Sequence, residues 1–313
     1  MLSRVADAVY WMHRYVERAE NVARFVDVNL HLALDLSPGE HEQWEPIVAT
    51  TSDDAWFAEA YGKATRENVL QFLTFDTRYP NSILSCFRAA RENARSIREI
   101  ISSEMWESIN SAYLMLRDAA AHSEERLRAP HELYAAVKLA SQQHIGVTYV
   151  TMSHNEAWHF ARLGRLLERA DKTSRILDVK YFLLLPAPSD VGSPYDEIQW
   201  SALLKSASAL EMYRKRFRRI TPFKVTSYLT LDREFPRSMA YCVRKAERSL
   251  HAITGSALET HATPAEERLA ALRSELEAED ADDIIQRGLH EYLDAFQLKI
   301  NGVGDAIYES FFR

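Results

Sequence analysis

Two glutamate-arginine dipeptides, Glu17-Arg18 and Glu168-Arg169, are the residues of this chain whose types and spacing most invite chemistry. A fold that brings two carboxylates together can divide general-acid and general-base work between them, because like charges at close range push one pKa up. The neighbouring arginines offer a planar fork of donors that grips a carboxylate or phosphate through two bonds and stays charged when partly buried. Each dipeptide lies in a run that is written twice. Residues 14–28 return as residues 165–179 with seven of fifteen positions identical, so that Arg14, Glu17, Arg18, Arg24 and Asp27 match Arg165, Glu168, Arg169, Arg175 and Asp178.

At about 100° per residue, Tyr15, Val16, Ala19, Val22, Ala23, Val26 and Leu30 share one helical stripe, read as core. Arg14, Glu17, Arg18, Glu20, Asn21, Arg24 and Asp27 fall on the opposite side, read as a solvated face. Arg14 with Glu17, Glu20 with Arg24, and Arg24 with Asp27 have the spacing of pairs within a helix. Arg165 with Glu168, Asp171 with Arg175, and Arg175 with Asp178 repeat it. Each such exposed pair would contribute about 0.3–0.5 kcal/mol. Arg18 and Arg169 escape this account, since no acid stands three or four residues from either. Their partner must come from an acid on another helix, such as Asp76 or Asp232, a backbone carbonyl, a bound anion or a second protein. Arginines this dense would hold both glutamates ionised, which suits binding better than general-acid work.

The elements that must position these residues are helices. Apolar residues recur with helical period along the chain, and no alternating run is long enough for a sheet. Helices are expected over Ser3–Leu34, Asn81–His122 with a break near Glu104, His131–Met152, Glu156–Leu185, Gln199–Arg219, Arg237–Ile253, and Pro264–Phe311 with a break near Ala281. Ser153 to Glu156 reads as a capping box, and Thr263-Pro264 and Ser193-Pro194 each place a cap before a proline in the first turn. Loops are expected at 37–52 and 186–194.

A second repeated block supports a copied architecture: Phe72 to Cys86 matches Tyr228 to Cys242, including Asp76/Asp232, Pro80/Pro236 and Ser82/Ser238, which look like helix starts. The first pair is offset by 151 residues and the second by 156, and a fainter match relates Leu133–Val147 to Leu289–Val303. The expected fold is an all-α bundle built from a tandem duplication of about 150 residues with pseudo-twofold symmetry. Its halves, 1–151 and 152–313, would pack as one compact domain.

Composition narrows the function classes. A net charge of -7 argues against nucleic acid as a default partner. The run Tyr213 to Arg219 is a local basic exception, read as a helix end or a contact for an acidic partner. No segment approaches the roughly 20 apolar residues of a membrane span, and Met1 to Asp7 lacks the form of a secretory leader, so a cytoplasmic location is expected. Cys86 and Cys242 are expected to be reduced, half-buried helix residues. Glu156 and His159 have a metal-ligand spacing but no second pair, and neither metal nor cofactor is expected. Phosphate-loop, nucleophile-elbow and zinc-protease motifs are missing from the sequence.

These features resemble the bacterial alpha-E proteins, an all-helical family named for its Glu-Arg dipeptide. The lead-in Tyr10-Trp11 to Arg14-Tyr15 and the Phe72, Asp76, Pro80, Ser82 block are also similar to the family pattern, and the resemblance covers nearly the whole chain. His13 departs from it, standing where a glycine is expected, as at Gly164. What the resemblance implies is an accessory or substrate-presenting partner of a circularly permuted ATP-grasp ligase, often with a transglutaminase-like peptidase, in a system that makes peptide or amide bonds. It implies no activity for this chain alone. Two readings follow. In one, the repeated face of Arg14, Glu17, Arg18, Arg24, Arg165, Glu168, Arg169 and Arg175 docks the ligase. In the other, these arginines with Asp76 and Asp232 bind an anionic peptide, acyl phosphate or aminoacyl-tRNA end.

Overall fold

A computed structural model describes residues 1–34, 44–49, 51, 53–182 and 193–313, and among them every regular element is helical. Two long helices form the centre: α1 (Ser3–Leu34) lies along α9 (Glu156–Phe182). Between them in sequence come α2 (Glu45–Ala49), α3 (Asp54–Tyr61), α4 (Arg66–Thr74), α5 (Ile83–Ser96), α6 (Ser103–Ala121), α7 (Ser123–Arg128) and α8 (His131–Thr151). After α9 follow α10 (Pro194–Ser206), α11 (Leu210–Arg216), α12 (Pro222–Thr230), α13 (Met239–Thr254), α14 (Pro264–Ala278), α15 (Ala281–Arg287) and α16 (Leu289–Ile307), closed by a π-helical turn at Tyr308–Phe312. Helices α5 and α8 cover α1, with α6 bridging them; α13 and α16 cover α9, with α14 between.

Local chemistry explains most boundaries. Ser82 and Ser238 cap α5 and α13, each Oγ accepting the backbone N–H three residues on at 3.1 Å, as expected of the repeated block. Thr263 and Glu266 form the expected capping box, and Ser193 caps α10 ahead of Pro194. Gly255, at φ 73°, ends α13 in the left-handed conformation that glycine adopts without strain. The cap of α9 differs from expectation: Asn155, not Ser153, accepts from Ala157 N at 3.1 Å, and Glu156 receives the Met1 ammonium at 3.0 Å. The expected helix at 199–219 is two, α10 and α11, broken where Ser208 takes φ 50°. Of the loops expected at 37–52 and 186–194, residues 37–43 and 186–192 lie outside the described residues, while Glu45–Ala49 forms the short helix α2 where a loop is expected and Pro194 already opens α10.

The apolar stripe of α1 is buried as expected at Val16, Ala19, Val22, Ala23, Val26 and Leu30, with Tyr15 packed at its margin. Cys86 and Cys242 are both free and fully buried rather than half-buried, and burial pushes each thiol up to about 12. At Gly164, helix α9 lies directly against the backbone of α1. A Cβ there would lie 2.4 Å from the Tyr10 carbonyl oxygen and 3.1 Å from its ring. His13 does not loosen this crossing, because its side chain turns toward α8, with Nδ1 3.0 Å from the Val9 carbonyl and Nε2 3.4 Å from Thr148 Oγ1. Substituting Gly164→Ala should therefore force the two central helices apart and destabilise the fold by about 1–3 kcal/mol in urea titration; an unchanged midpoint would show that the crossing gives way freely.

Candidate functional site

The charged side of α1 is not solvated. Glu17, Glu20, Asn21, Arg24 and Asp27 are buried, as are Glu168 and Asp171 on α9, which corrects the expectation of an exposed face. The two charged sides face each other at the middle of the molecule. There the dipeptides clasp reciprocally. Arg18 grips Glu168 through two bonds, Nε to Oε1 at 2.6 Å and Nη2 to Oε2 at 3.0 Å, while Arg169 grips Glu17 through Nε at 2.8 Å and Nη2 at 2.7 Å. Neither arginine turns to Asp76 or Asp232.

Further donors complete each carboxylate. Arg14 Nε donates to Glu168 at 2.8 Å, and its Nη1 reaches the Tyr10 hydroxyl at 3.1 Å. Glu17 also accepts from Asn21 at 2.9 Å and from Arg237 at 3.1 Å. Glu20 is held by Arg24 on its own helix, by Arg237 and by Ser141. Asp171 is held by Arg175, again on its own helix, and by Lys172. Thus the expected pairs Glu20–Arg24 and Asp171–Arg175 form, while Arg14 crosses to Glu168 on the other helix instead of pairing with Glu17. Burial alone would raise the Glu17 and Glu168 carboxyls. The guanidiniums outweigh it: Arg169 and Arg237 hold Glu17, and Arg18 and Arg14 hold Glu168, well below the ordinary carboxylate range. Asp171 falls to about 2, its burial being outweighed by Lys172 and Arg175.

This arrangement suits structural ion pairing better than proton transfer, since each carboxylate is ionised and its lone pairs are taken by donors. Beside Arg18, the opening lined by Tyr79, Asn81, Lys172 and Arg175 has a volume of about 20 Å³, room for a single water. Asp76 accepts from Arg78 and the Tyr61 hydroxyl, and Asp232 pairs with Arg216 from the basic run. Both lie apart from the clasp and shape the turns before α5 and α13, where Asp76 Oδ1 accepts Arg78 N and Asp232 Oδ1 accepts Phe235 N. At the far end of α1, Asp27, His31 and His131 offer ligand atoms within 4.8 Å of one another. The Asp27 oxygens already accept from His131 at 2.9 Å and Lys138 at 2.6 Å, so a cation there would have to compete with an ammonium.

Sequence reasoning missed Arg237, which is buried and bridges Glu17 and Glu20. A signal existed: Arg237 stands in the repeated Pro-x-Ser block where the first copy has Asn81, which accepts from Arg18. The reach of Ser141, Lys138 and His131 to α1 had no signal in the sequence, because only the packing of α8 brings them there.

The reciprocal clasp gives a physical meaning to a Glu-Arg motif, and a family comparison agrees. The profile of Alpha-E, described as a predicted alpha-helical domain with a conserved ER motif, matches residues 1–312. The chain belongs to the Alpha-E family. It is 24% identical over 276 residues to uncharacterized proteins of Mycobacterium bovis and Mycobacterium tuberculosis. The match covers 81% of this chain but only 30% of the relatives, so the chain spans less than a third of their length. No solved structure matches it. No helix among the described residues is long and apolar enough to cross a membrane.

Two expectations follow for this Alpha-E chain. Glu168→Gln would leave Arg14 and Arg18 without their counter-charge in a buried site and should destabilise by about 3–5 kcal/mol in denaturant melts; a loss below 1 kcal/mol would class the clasp with exposed pairs. Acid should also weaken the fold in two steps. Burial, and then Arg165, lowers His13 to about 4, and burial with His13 holds His144 well below its ordinary value. The unfolded chain protonates these histidines near 6.5 while the folded chain keeps them neutral, so stability is lost as pH falls from 6.5 toward 4, by up to about 1.4 kcal/mol per pH unit for each. The depressed carboxylates of Glu17 and Glu168 contribute stability above the ordinary carboxylate pKa, and it is lost as pH falls further. Melting temperature against pH checks this, with His144→Leu expected to flatten only the first step.

Proposed function

We propose that this chain is a non-catalytic accessory or scaffold subunit that works in the cytoplasm with a circularly permuted ATP-grasp ligase, in a bacterial system that forms peptide or amide bonds. The observation that carries the reading is the relation to the mycobacterial proteins. In them the matched region makes up 30% of the chain, so an Alpha-E unit is used as one part of a larger polypeptide. The Arg/Glu face expected to dock the ligase is internal here. A different surface suits docking: α8 buries Leu133, Tyr134 and Val137 in its first half but polar Ser141, His144 and Thr148 in its second, and Leu139, Tyr149 and Val150 stand 65%, 62% and 75% exposed. Large apolar side chains this exposed, close together on one helix, mark interaction sites.

The scaffold is read as a tandem duplication with pseudo-twofold symmetry, halves 1–151 and 152–313. The reciprocal Arg18–Glu168 and Arg169–Glu17 bonds support this, as do the paired contacts of His131 with Asp27 and His290 with Asp178. These histidines favour an offset of 159 for the third repeated block over the 156 read from Leu133–Val147 and Leu289–Val303.

Co-expression of the chain with its ATP-grasp neighbour tests the proposal. A stable complex is expected in size-exclusion chromatography with light scattering, and Leu139→Asp/Val150→Asp should abolish it while melting as the wild type does. Absence of a complex with the wild type would overturn the scaffold reading; a complex that survives the double substitution would move the interface off α8.

A further inference from the structure

One arginine of the repeated motif is left out of the clasp. Arg165 matches Arg14, but Glu17, the carboxylate it would meet by analogy, is already filled by Arg169, Arg237 and Asn21. Its Nε is buried and meets no acceptor among the described residues. A buried donor without an acceptor is costly for a purely structural side chain, and Glu17, whose charge reaches Arg165, is already shared with Arg169 and Arg237. Its surroundings add to the charge. Arg162 stands one turn before it on α9, and α13, packed along α9, brings Arg244, Lys245 and Arg248 to the same side. None of these five makes an ion pair with a described carboxylate; Arg244 donates only to the Arg233 carbonyl, at 2.8 Å. Arg162 lies over the Trp158 ring at 5.3 Å and Lys245 over Tyr241 at 5.4 Å, so aromatic faces wall the cluster.

The matched positions of the first copy are built differently. There Trp11, Arg14, Arg88, Ala89 and Glu92 stand in place of Arg162, Arg165, Arg244, Lys245 and Arg248. Arg14 has Glu168 and Tyr10 as acceptors, and Glu92 pairs with Arg91 and Arg95 at 2.8 Å. The second copy thus replaces an acid by an arginine and leaves its cations facing one another.

We infer that Arg162, Arg165, Lys245 and Arg248 form a binding site for a multiply charged phosphate group of pyrophosphate size, on the side of the molecule where α13 lies against α9. Two or more phosphoryl groups would supply the acceptors that these forks lack, whereas one carboxylate would leave most of them unmet. The electrostatics agree. Burial, and then Arg169, draws Arg165 down to about 10 against the opposing pull of Glu17, and burial with Arg248, Arg162 and Arg244 lowers Lys245, as expected of cations held close together. The site borders the α8 surface, since Trp158 beneath Arg162 also meets Tyr149 at 6.5 Å, but it does not depend on the ligase or on Leu139 and Val150.

Inorganic pyrophosphate titrated into the full chain at low ionic strength, followed by calorimetry, tests the site. Saturable one-to-one binding is expected, weakened about tenfold or more in Arg162→Gln/Arg248→Gln and in Lys245→Gln, and retained in Arg218→Gln/Arg219→Gln, which alters the separate basic run. Without ligand, Arg248→Gln should melt at or above the wild-type temperature, because it relieves repulsion; a marked drop would show that Arg248 is structural and overturn its place in the site. No binding by the wild type, equal binding by the cluster variants, or loss only in the Arg218/Arg219 variant would overturn the proposal.

Discussion

A carboxylate withdrawn from water at the centre of a helical bundle stays ionised only while cations reach it from every open side, and this protein meets that demand twice. Glu168 is held by Arg18 and Arg14, and Glu17 by Arg169 and Arg237. The geometry of α1 against α9 is fixed by this requirement. Two-point guanidinium bonds tolerate little sliding or rotation, so the clasp sets the register of the two helices in a way that an apolar seam would not. Around it the apolar packing is ordinary: each central helix turns its other stripe toward α5 or α13, and Gly164 admits the close crossing near Tyr10.

The same constraint governs which surfaces remain for partners. Because α1 presents charge to α8, that helix matches it with Ser141, His144 and Thr148 and carries apolar residues outside. Because Glu17 is filled from Arg169 and Arg237, Arg165 Nε is left without an acceptor beside Arg162. The two surfaces singled out for function are consequences of how the buried charges are satisfied, and they lie on different helices.

Much of the fold was legible in the sequence. The bounds of α1 and the starts of α8, α9 and α14 follow from apolar period and capping residues, which act locally. What was not legible is the burial of the polar stripe. A helix with charge on one side and apolar residues on the other reads as a surface helix, and only the presence of a second such helix of matching charge turns it inward. The clue was Arg18 and Arg169, neither with an acid on its own helix. Asp76 and Asp232 were the acids within sight of the sequence, because the true partners, Glu168 and Glu17, come into reach only through the packing of α1 against α9. The break at Ser208 and the cap at Asn155 escaped for a simpler reason, since a serine in the left-handed region and a competing capping residue have weak signatures.

The clasp also bears on how the chain comes into being. Arg18 and Glu168 are 150 residues apart, and Arg169 and Glu17 are 152 apart. During synthesis at roughly 5–20 residues per second, α1 therefore waits about eight to thirty seconds for the helix that neutralises it. Through that interval Glu17 lacks Arg169 and Arg237, and the charged side of α1 has only α8 to meet it, through Ser141 at Glu20 and Lys138 at Asp27. Until α9 emerges, the charges that the finished molecule hides between its two central helices stay in water.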